Sequence, residues 1–283
     1  MILIESTMKY ILTFILSFLS FLVCSQNITI TDIPTIDQLP VNAIHRVFRD
    51  SEGYMWYGTE GGGLCRDDGY TVKVFRSDFK NPGILENNSV TCITEDGEGK
   101  IWFGTKRGAY ILSKTDYEIR ALADETIKGW TITTMTATSD GTVWISTNRH
   151  LFRYNASGER TGKYILKWKG QENTVNSIYE DKKQTVWVTQ AKGGLFCYDK
   201  VKDSFISYPW PYDEYPTSMT EDHNTPYYWV TYLGKKVLYV LYPKAQDTDK
   251  NSLDCKQWIM RLLTPIPESF IISYKILLRD ICG

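Results

Sequence analysis

Residues 90–112 read VTCITEDGEGKIWFGTKRGAYIL, and the order of residue types in this stretch decides the fold. Val90–Glu95 is rich in β-branched side chains and runs into the polar turn Asp96-Gly-Glu-Gly99. An aspartate at the start of a turn accepts backbone amides two residues on, and glycine supplies positive φ, so the chain reverses there. Lys100–Thr105 is then a second strand around Trp102. A turn near Gly108 leads into a third strand, Ala109–Leu112.

Working outward, the same order recurs four more times. The units are VNAIHRVFRDSEGYMWYGTEGGGL (41–64), ITTMTATSDGTVWISTNRHLF (132–152), VNSIYEDKKQTVWVTQAKGGLF (175–196) and SMTEDHNTPYYWVTYLGKKVLYV (218–240). Trp56, Trp102, Trp144, Trp187 and Trp229 follow one another at intervals of 46, 42, 43 and 42 residues. An aspartate precedes each: Asp50, Asp96, Asp140, Asp181 and Asp222. A near-constant period of this length is the signature of a repeat architecture. A fourth, more variable strand follows in each unit, for example Tyr70–Phe75 or Tyr164–Trp168, giving a four-stranded antiparallel meander.

Two residues after each tryptophan stands a small side chain: Gly58, Gly104, Ser146, Thr189 and Thr231. Strand side chains alternate with a period of two, so this residue shares the tryptophan's face, about 7 Å along. It leaves room for a bulky group from an adjacent sheet. One such sheet cannot bury both apolar faces, whereas sheets packed face to face around an axis cover one another. The sequence therefore predicts an all-β propeller of about five blades, incomplete or open, over residues 26–262, with an irregular tail at 263–283. The strict period assigns Trp56, Trp102, Trp144, Trp187, Trp229, Gly58 and Gly104 to the structural core between blades.

The pattern V-x-x-I-x-x-D-x-x-G-x-[IL]-W-[IF]-G-T-x-x-G-L resembles the two-component regulator propeller repeat. Residues 90–112 fit it best and the unit around Trp229 is degenerate. Asp67–Tyr70 (DDGY) and Asn87–Val90 (NNSV) are also similar to the family's phrasing, and the resemblance covers about residues 38–242. It implies the periplasmic sensor region of a Bacteroidetes hybrid two-component system, built for sensing, often of glycans, rather than for catalysis. In that family two seven-bladed propellers usually precede an immunoglobulin-like domain, a membrane helix and a histidine kinase. Five units, with no kinase after them, make this chain a truncated sensor by that comparison; a free exported propeller is the alternative.

The ends and the composition bound the setting. Residues 11–23 (ILTFILSFLSFLV) are an apolar run after Lys9, with Val23 and Ser25 at −3 and −1 before Gln26, which predicts a signal peptide over 1–25. Lipidation at Cys24 is the other reading of the same stretch. The expected location is periplasmic or secreted, with no membrane span after cleavage, because Ser269–Leu278 is too short to cross a bilayer. Across the 283 residues 32 basic side chains balance 33 acidic ones and no basic face stands out, which argues against nucleic acid as a partner. Cys65, Cys92, Cys197, Cys255 and Cys282 have neither disulfide nor zinc spacing and read as small buried hydrophobes.

Candidate chemistry is sparse. His45, His150 and His223 fall at unrelated repeat positions, His150 at a turn where left-handed geometry suits histidine. Gly58–Gly63 (GTEGGG) lacks the helix and lysine of a phosphate loop and reads as a hairpin turn. Asp247–Asn251 begins like a calcium loop but has Ser252 at the required glycine. No catalytic residue, metal or cofactor is expected. Ligand contacts are sought off the repeat pattern: Tyr208, Trp210, Tyr212 and Tyr215 in a proline-stiffened linker, and Trp130 ahead of the third unit, with Arg107 and Lys192 as polar neighbours. The expected partners are an oligosaccharide and other propeller or sensor chains. A propeller lyase or hydrolase, the enzyme alternative, predicts His, Glu or metal ligands converging on the channel.

Overall fold

The computed structural model describes residues 33–79, 82–208, 216–222, 228–232, 238–243 and 253–258. The leader 1–25, the tail 263–283 and the acidic run Asp247–Asn251 lie outside the described residues. Each Trp unit is one antiparallel four-stranded sheet whose neighbours in space are neighbours in sequence. Blade one is β1 (Ile44–Arg49), β2 (Met55–Thr59), β3 (Leu64–Asp67) and β4 (Val72–Phe75). Blade two is β5 (Val90–Glu95), β6 (Ile101–Thr105), β7 (Gly108–Leu112) and β8 (Ile119–Ala121). Blade three is β9 (Ile132–Ala137), β10 (Val143–Thr147), β11 (Leu151–Tyr154) and β12 (Arg160–Tyr164). A two-stranded hairpin, β13 (Lys167–Trp168) and β14 (Gln171–Glu172), separates it from blade four: β15 (Val175–Glu180), β16 (Val186–Gln190), β17 (Leu195–Asp199) and β18 (Ser204–Tyr208). Blade five is β19 (Pro216–Glu221), β20 (Tyr228–Tyr232), β21 (Leu238–Pro243) and β22 (Leu253–Trp258).

The repeat tryptophans point from one blade to the next. Trp56 packs with Val90, Ile93, Ile101 and Phe103 of blade two. Trp102 does the same with Ile132, Met135 and Val143, Trp144 with Val175 and Ile178, and Trp187 with Met219 and Val230. Trp56, Trp102, Trp144 and Trp187 are buried. A β-carbon on Gly104 would lie 2.6 Å from Cys92 Sγ and from Ile132 Cβ, and one on Gly58 3.0 Å from Val90 Cγ1. Glycine at these positions is what lets the inner strand of the next blade approach.

In blades one, two and four the turn aspartate has two jobs. Asp96 Oδ1 accepts the amides of Glu98 and Lys100, both at 2.9 Å, while Oδ2 accepts Trp102 Nε1–H at 2.6 Å. Asp50 with Trp56 (2.8 Å), Asp181 with Trp187 (2.9 Å) and Asp222 with Trp229 (2.9 Å) repeat the indole bond. Blade three departs from the sequence alignment. Its equivalent position is Thr138, six residues before Trp144, and Asp140 bonds Thr138 Oγ1 (2.7 Å) and Thr142 Oγ1 (2.8 Å) instead. The shorter turn puts Asp140 too near Trp144 in sequence to sit beneath its indole.

A glutamate at the end of an inner strand grips the turn of the preceding blade. Glu95 accepts Ser51 N and Ser51 Oγ, both at 2.7 Å, and Glu180 accepts Ser139 N (2.7 Å) and Ser139 Oγ (2.9 Å). Glu221 accepts Lys182 N at 2.8 Å.

The outer strands of blades one, three and five have other boundaries than the sequence reading gives. The fourth strand of blade three is Arg160–Tyr164, not Tyr164–Trp168, because Leu166 turns into the core and Lys167–Trp168 pairs with Gln171–Glu172 across a left-handed Lys169-Gly170 turn. β4 starts at Val72 because Asp68 Oδ1 draws the amides of Tyr70 and Thr71 into a turn (2.9 and 2.7 Å). The outer strand of blade five is Leu253–Trp258, three residues earlier than Lys256–Leu263.

Candidate ligand-binding face

Strand direction alternates within a blade, so the aspartate turns all emerge at one end of the propeller. The connections between second and third strands and the linkers between blades emerge at the other, here termed the linker face. The linker face carries residues 60–63, 106–107, 148–150 and 191–194, with the linkers 76–79 and 82–89, 122–131 and 165–174. Four large apolar side chains are exposed on it: Phe79, Ile84, Trp130 and Ile165.

Trp130 is 43% exposed, and the Arg149 guanidinium from blade three stands 5.5 Å from its ring centroid. That stacking fixes the ring while leaving much of its surface to solvent. On the same face lies a cleft of about 180 Å³ lined by Glu86, Arg107, Tyr110, Leu122, Glu125 and Lys128. The Glu86 amide donates to Tyr110 Oη at 2.8 Å and closes one wall.

A second polar group crosses from blade one to blade two. Glu60, in the turn after β2, is bound by His45 Nε2 and by Lys106 Nζ, and accepts Ser89 Oγ–H at 3.2 Å. Hydrogen bonds from Lys106 and then His45 hold the Glu60 carboxyl down at about 2, although the group is open to solvent. The backbone continues the link, since Lys106 N donates to Ser89 O (3.1 Å) and Thr131 Oγ1 to Lys106 O (3.2 Å). The sequence reading passed over His45. Its signal was positional, because β5, β9 and β15 carry Thr91, Thr133 and Asn176 at the corresponding place.

Of the proposed contact residues, the structure leaves Trp130 exposed and puts Arg107 in the cleft wall. Lys192 occupies the 191–194 turn with φ of 62°. Tyr208 does not present its ring: it is 8% exposed and packs on Trp187 with centroids 5.1 Å apart. It ends β18, where its side chain faces the neighbouring blade, so it belongs to the core rather than to a binding platform. Trp210, Tyr212 and Tyr215 lie outside the described residues. His150 is a turn residue, yet its backbone is not left-handed; Lys192, not His150, takes that conformation. Burial, then the nearby Lys163, lowers the His150 pKa. Gly63 has φ of +92°, and a β-carbon there would meet Phe75 O at 2.3 Å, so the GTEGGG stretch is a hairpin built on glycine. Among the described residues no group of three or more His, Cys, Asp or Glu side chains converges as a metal site.

The sequence of residues 38–61 and 84–107, the inner halves of blades one and two, matches the two component regulator propeller. The fold is similar to the extracellular domain of a one component system from B. thetaiotaomicron, at 22% identity and a TM-score of 0.59, over 76% of this chain and 28% of that one. It is similar to the extracellular domain of a hybrid two component system from the same organism, at 21% identity and a TM-score of 0.52, over 79% of this chain and 34% of that one. It is also similar to virginiamycin B lyase from Staphylococcus aureus, at 18% identity and a TM-score of 0.61, over 79% and 73% of the two chains. The chain thus spans about a third or less of the two extracellular domains. No curated protein matches it. The family match is confined to the inner halves of blades one and two, and the chain shares with these structures the fold alone, an all-β propeller of four-stranded sheets.

Proposed function

We propose that this chain, built on two component regulator propeller repeats, is an exported, non-catalytic sensing propeller that binds an oligosaccharide on its linker face. Trp130 carries the reading. The chain buries four of its repeat tryptophans between blades, yet leaves this one half open and braced by Arg149. Ligand sites combine an aromatic surface with a few placed polar groups, and an indole offers a flat apolar body to the C–H face of a sugar. Arg107 and Lys128 in the cleft on the same face supply donors to hydroxyls. Binding then acts on other propeller or sensor chains, which carry the signal onward.

A glycan array probed with the intact secreted chain tests this. The expected result is retention of a defined set of oligosaccharides that Trp130→Ala weakens by at least about tenfold, with the unfolding midpoint unchanged. Retention of no saccharide, or full retention by Trp130→Ala, would overturn it.

The lyase alternative has one observation in its favour: the hydrogen-bonded His45–Glu60 pair, a geometry available to a general base. That reading requires turnover of a saccharide substrate which His45→Ala abolishes. Binding without turnover rejects it.

A further inference from the structure

The inner strand of blade one breaks a pattern kept by the next three blades. At the second position of the strand, Thr91, Thr133 and Asn176 each donate to the first carbonyl of the following inner strand. The bonds are Thr91 Oγ1 to Ile132 O (2.6 Å), Thr133 Oγ1 to Val175 O (3.5 Å) and Asn176 Nδ2 to Pro216 O (3.0 Å). Blade one has His45 there, and its ring bonds Glu60 instead. At the third position the other blades have Cys92, Thr134, Ser177 and Ser218, all small, whereas blade one has Arg46.

Arg46 lies opposite Gly58 in the ladder and is only partly exposed. Its charge reaches across the blade boundary to the Cys92 thiol. Among the described residues it has no ion-pair or hydrogen-bond partner. The carboxylate two residues beyond Gly58, Glu60, is already held by Lys106, His45 and Ser89. Arg46 and Lys106 against Glu60 leave one positive charge on this rim. A partly desolvated cation without a counter-ion is costly to keep. The guanidinium fork matches the two oxygens of a carboxylate.

We propose that Arg46, next to His45 in β1, binds the carboxylate of an acidic saccharide, so that the ligand contains a uronic acid. This rests on the saccharide reading above and names its chemical class. Trp130 takes a sugar face while Arg46 selects for charge.

Isothermal titration of the intact chain with oligogalacturonate, alginate and hyaluronan fragments, each beside its carboxyl-reduced counterpart, tests the assignment. The expected result is an acidic fragment bound at least about tenfold tighter than its reduced form, the size of one charge-assisted hydrogen bond. Arg46→Gln removes that preference, Arg46→Lys keeps part of it, and Trp130→Ala weakens both forms equally. Equal binding of the acidic and reduced forms, or an unchanged preference in Arg46→Gln, overturns the inference. Retention of neutral or sulfated saccharides alone overturns it and leaves the saccharide reading standing. Retention of none overturns both.

Discussion

The indole of Trp102 donates to Asp96 Oδ2 at 2.6 Å while the other oxygen of that carboxylate holds two turn amides. One side chain thus ties the turn of a blade to the residue that packs the blade against its neighbour. Asp96 is nearly buried, so removing it strands three donors. Asp96→Ala is expected to cost about 2–4 kcal/mol, because each buried donor left unpaired costs about 1–3 and part is recovered by water. Trp102→Ala is expected to cost about 3–5 kcal/mol as a large-to-small core change. Urea denaturation of both variants checks this, and a loss under 1 kcal/mol for either would refute the arrangement.

Blade three offers the converse experiment. Thr138 stands where the other blades have the aspartate, and Asp140 bonds the turn rather than the indole. The double variant Thr138→Asp, Asp140→Asn restores an acceptor for Trp144 without adding a neighbouring negative charge. A gain of about 0.5–1.5 kcal/mol is expected, the net worth of one hydrogen bond, read as a rise in the denaturation midpoint.

Two glycines of blade two separate packing from turn freedom. Gly104→Ala forces a β-carbon to within 2.6 Å of Ile132, while Gly97→Ala meets nothing within 4 Å. The first is expected to lose about 1–3 kcal/mol through overpacking. The second should fall within about 0.5 kcal/mol of the parent, as surface substitutions do. Equal effects would mean that the inner strand of blade three can move away.

Lys114 joins blades one and two through Glu95 (2.6 Å), Glu52 (2.8 Å) and Asp50 (3.7 Å). Burial disfavours its charge, yet the hydrogen bonds to Glu52 and Glu95 outweigh that and raise its pKa above the ordinary lysine value. A raised value means that the stabilisation is complete below about pH 10.5 and is lost as pH climbs through the folded value. Lys114→Met leaves the buried carboxylates of Asp50 and Glu95 without their counter-ion and is expected to cost about 3–5 kcal/mol at neutral pH, with a flatter alkaline limb in thermal melts.

Glu60 provides a local probe. Its carboxyl is held at about 2 by Lys106 and His45, so it stays charged, and its stabilising contact persists, as pH falls from the ordinary carboxylate range until that value is reached. Carbon NMR of the Glu60 carboxyl should show no titration between pH 6 and 4. In Lys106→Gln the transition should move up toward the ordinary glutamate value near 4.3. A transition near 4 in the parent would show that the contact with Lys106 and His45 is not formed in solution.

The repeat was legible before any coordinates because tryptophan, the small residue two positions on and the turn glycines recur at a fixed interval. Those residues are dictated locally, by turn dihedrals and by a sheet face that must be buried. The aspartate of blade three was misread at Asp140 because the turn motif Asp-Gly is a local signal, whereas the bond to the indole needs an aspartate six or seven residues ahead of the tryptophan. The boundaries of the fourth strands were equally elusive, since outer strands are half solvated and their limits depend on neighbours such as Leu166.

Sequence by itself determined the architecture: five Trp units, four strands each, packed face to face through their tryptophans. Only the tertiary structure decided which of Tyr208 and Trp130 is exposed, burying Tyr208 on Trp187 and leaving Trp130 open beside Arg149. It alone brought His45, Glu60 and Lys106 together and set Arg46 apart without a side-chain partner among the described residues. The reason is physical. Period and turn chemistry act over a few residues, but exposure and charge pairing depend on groups from different blades, which meet only once the sheets have packed.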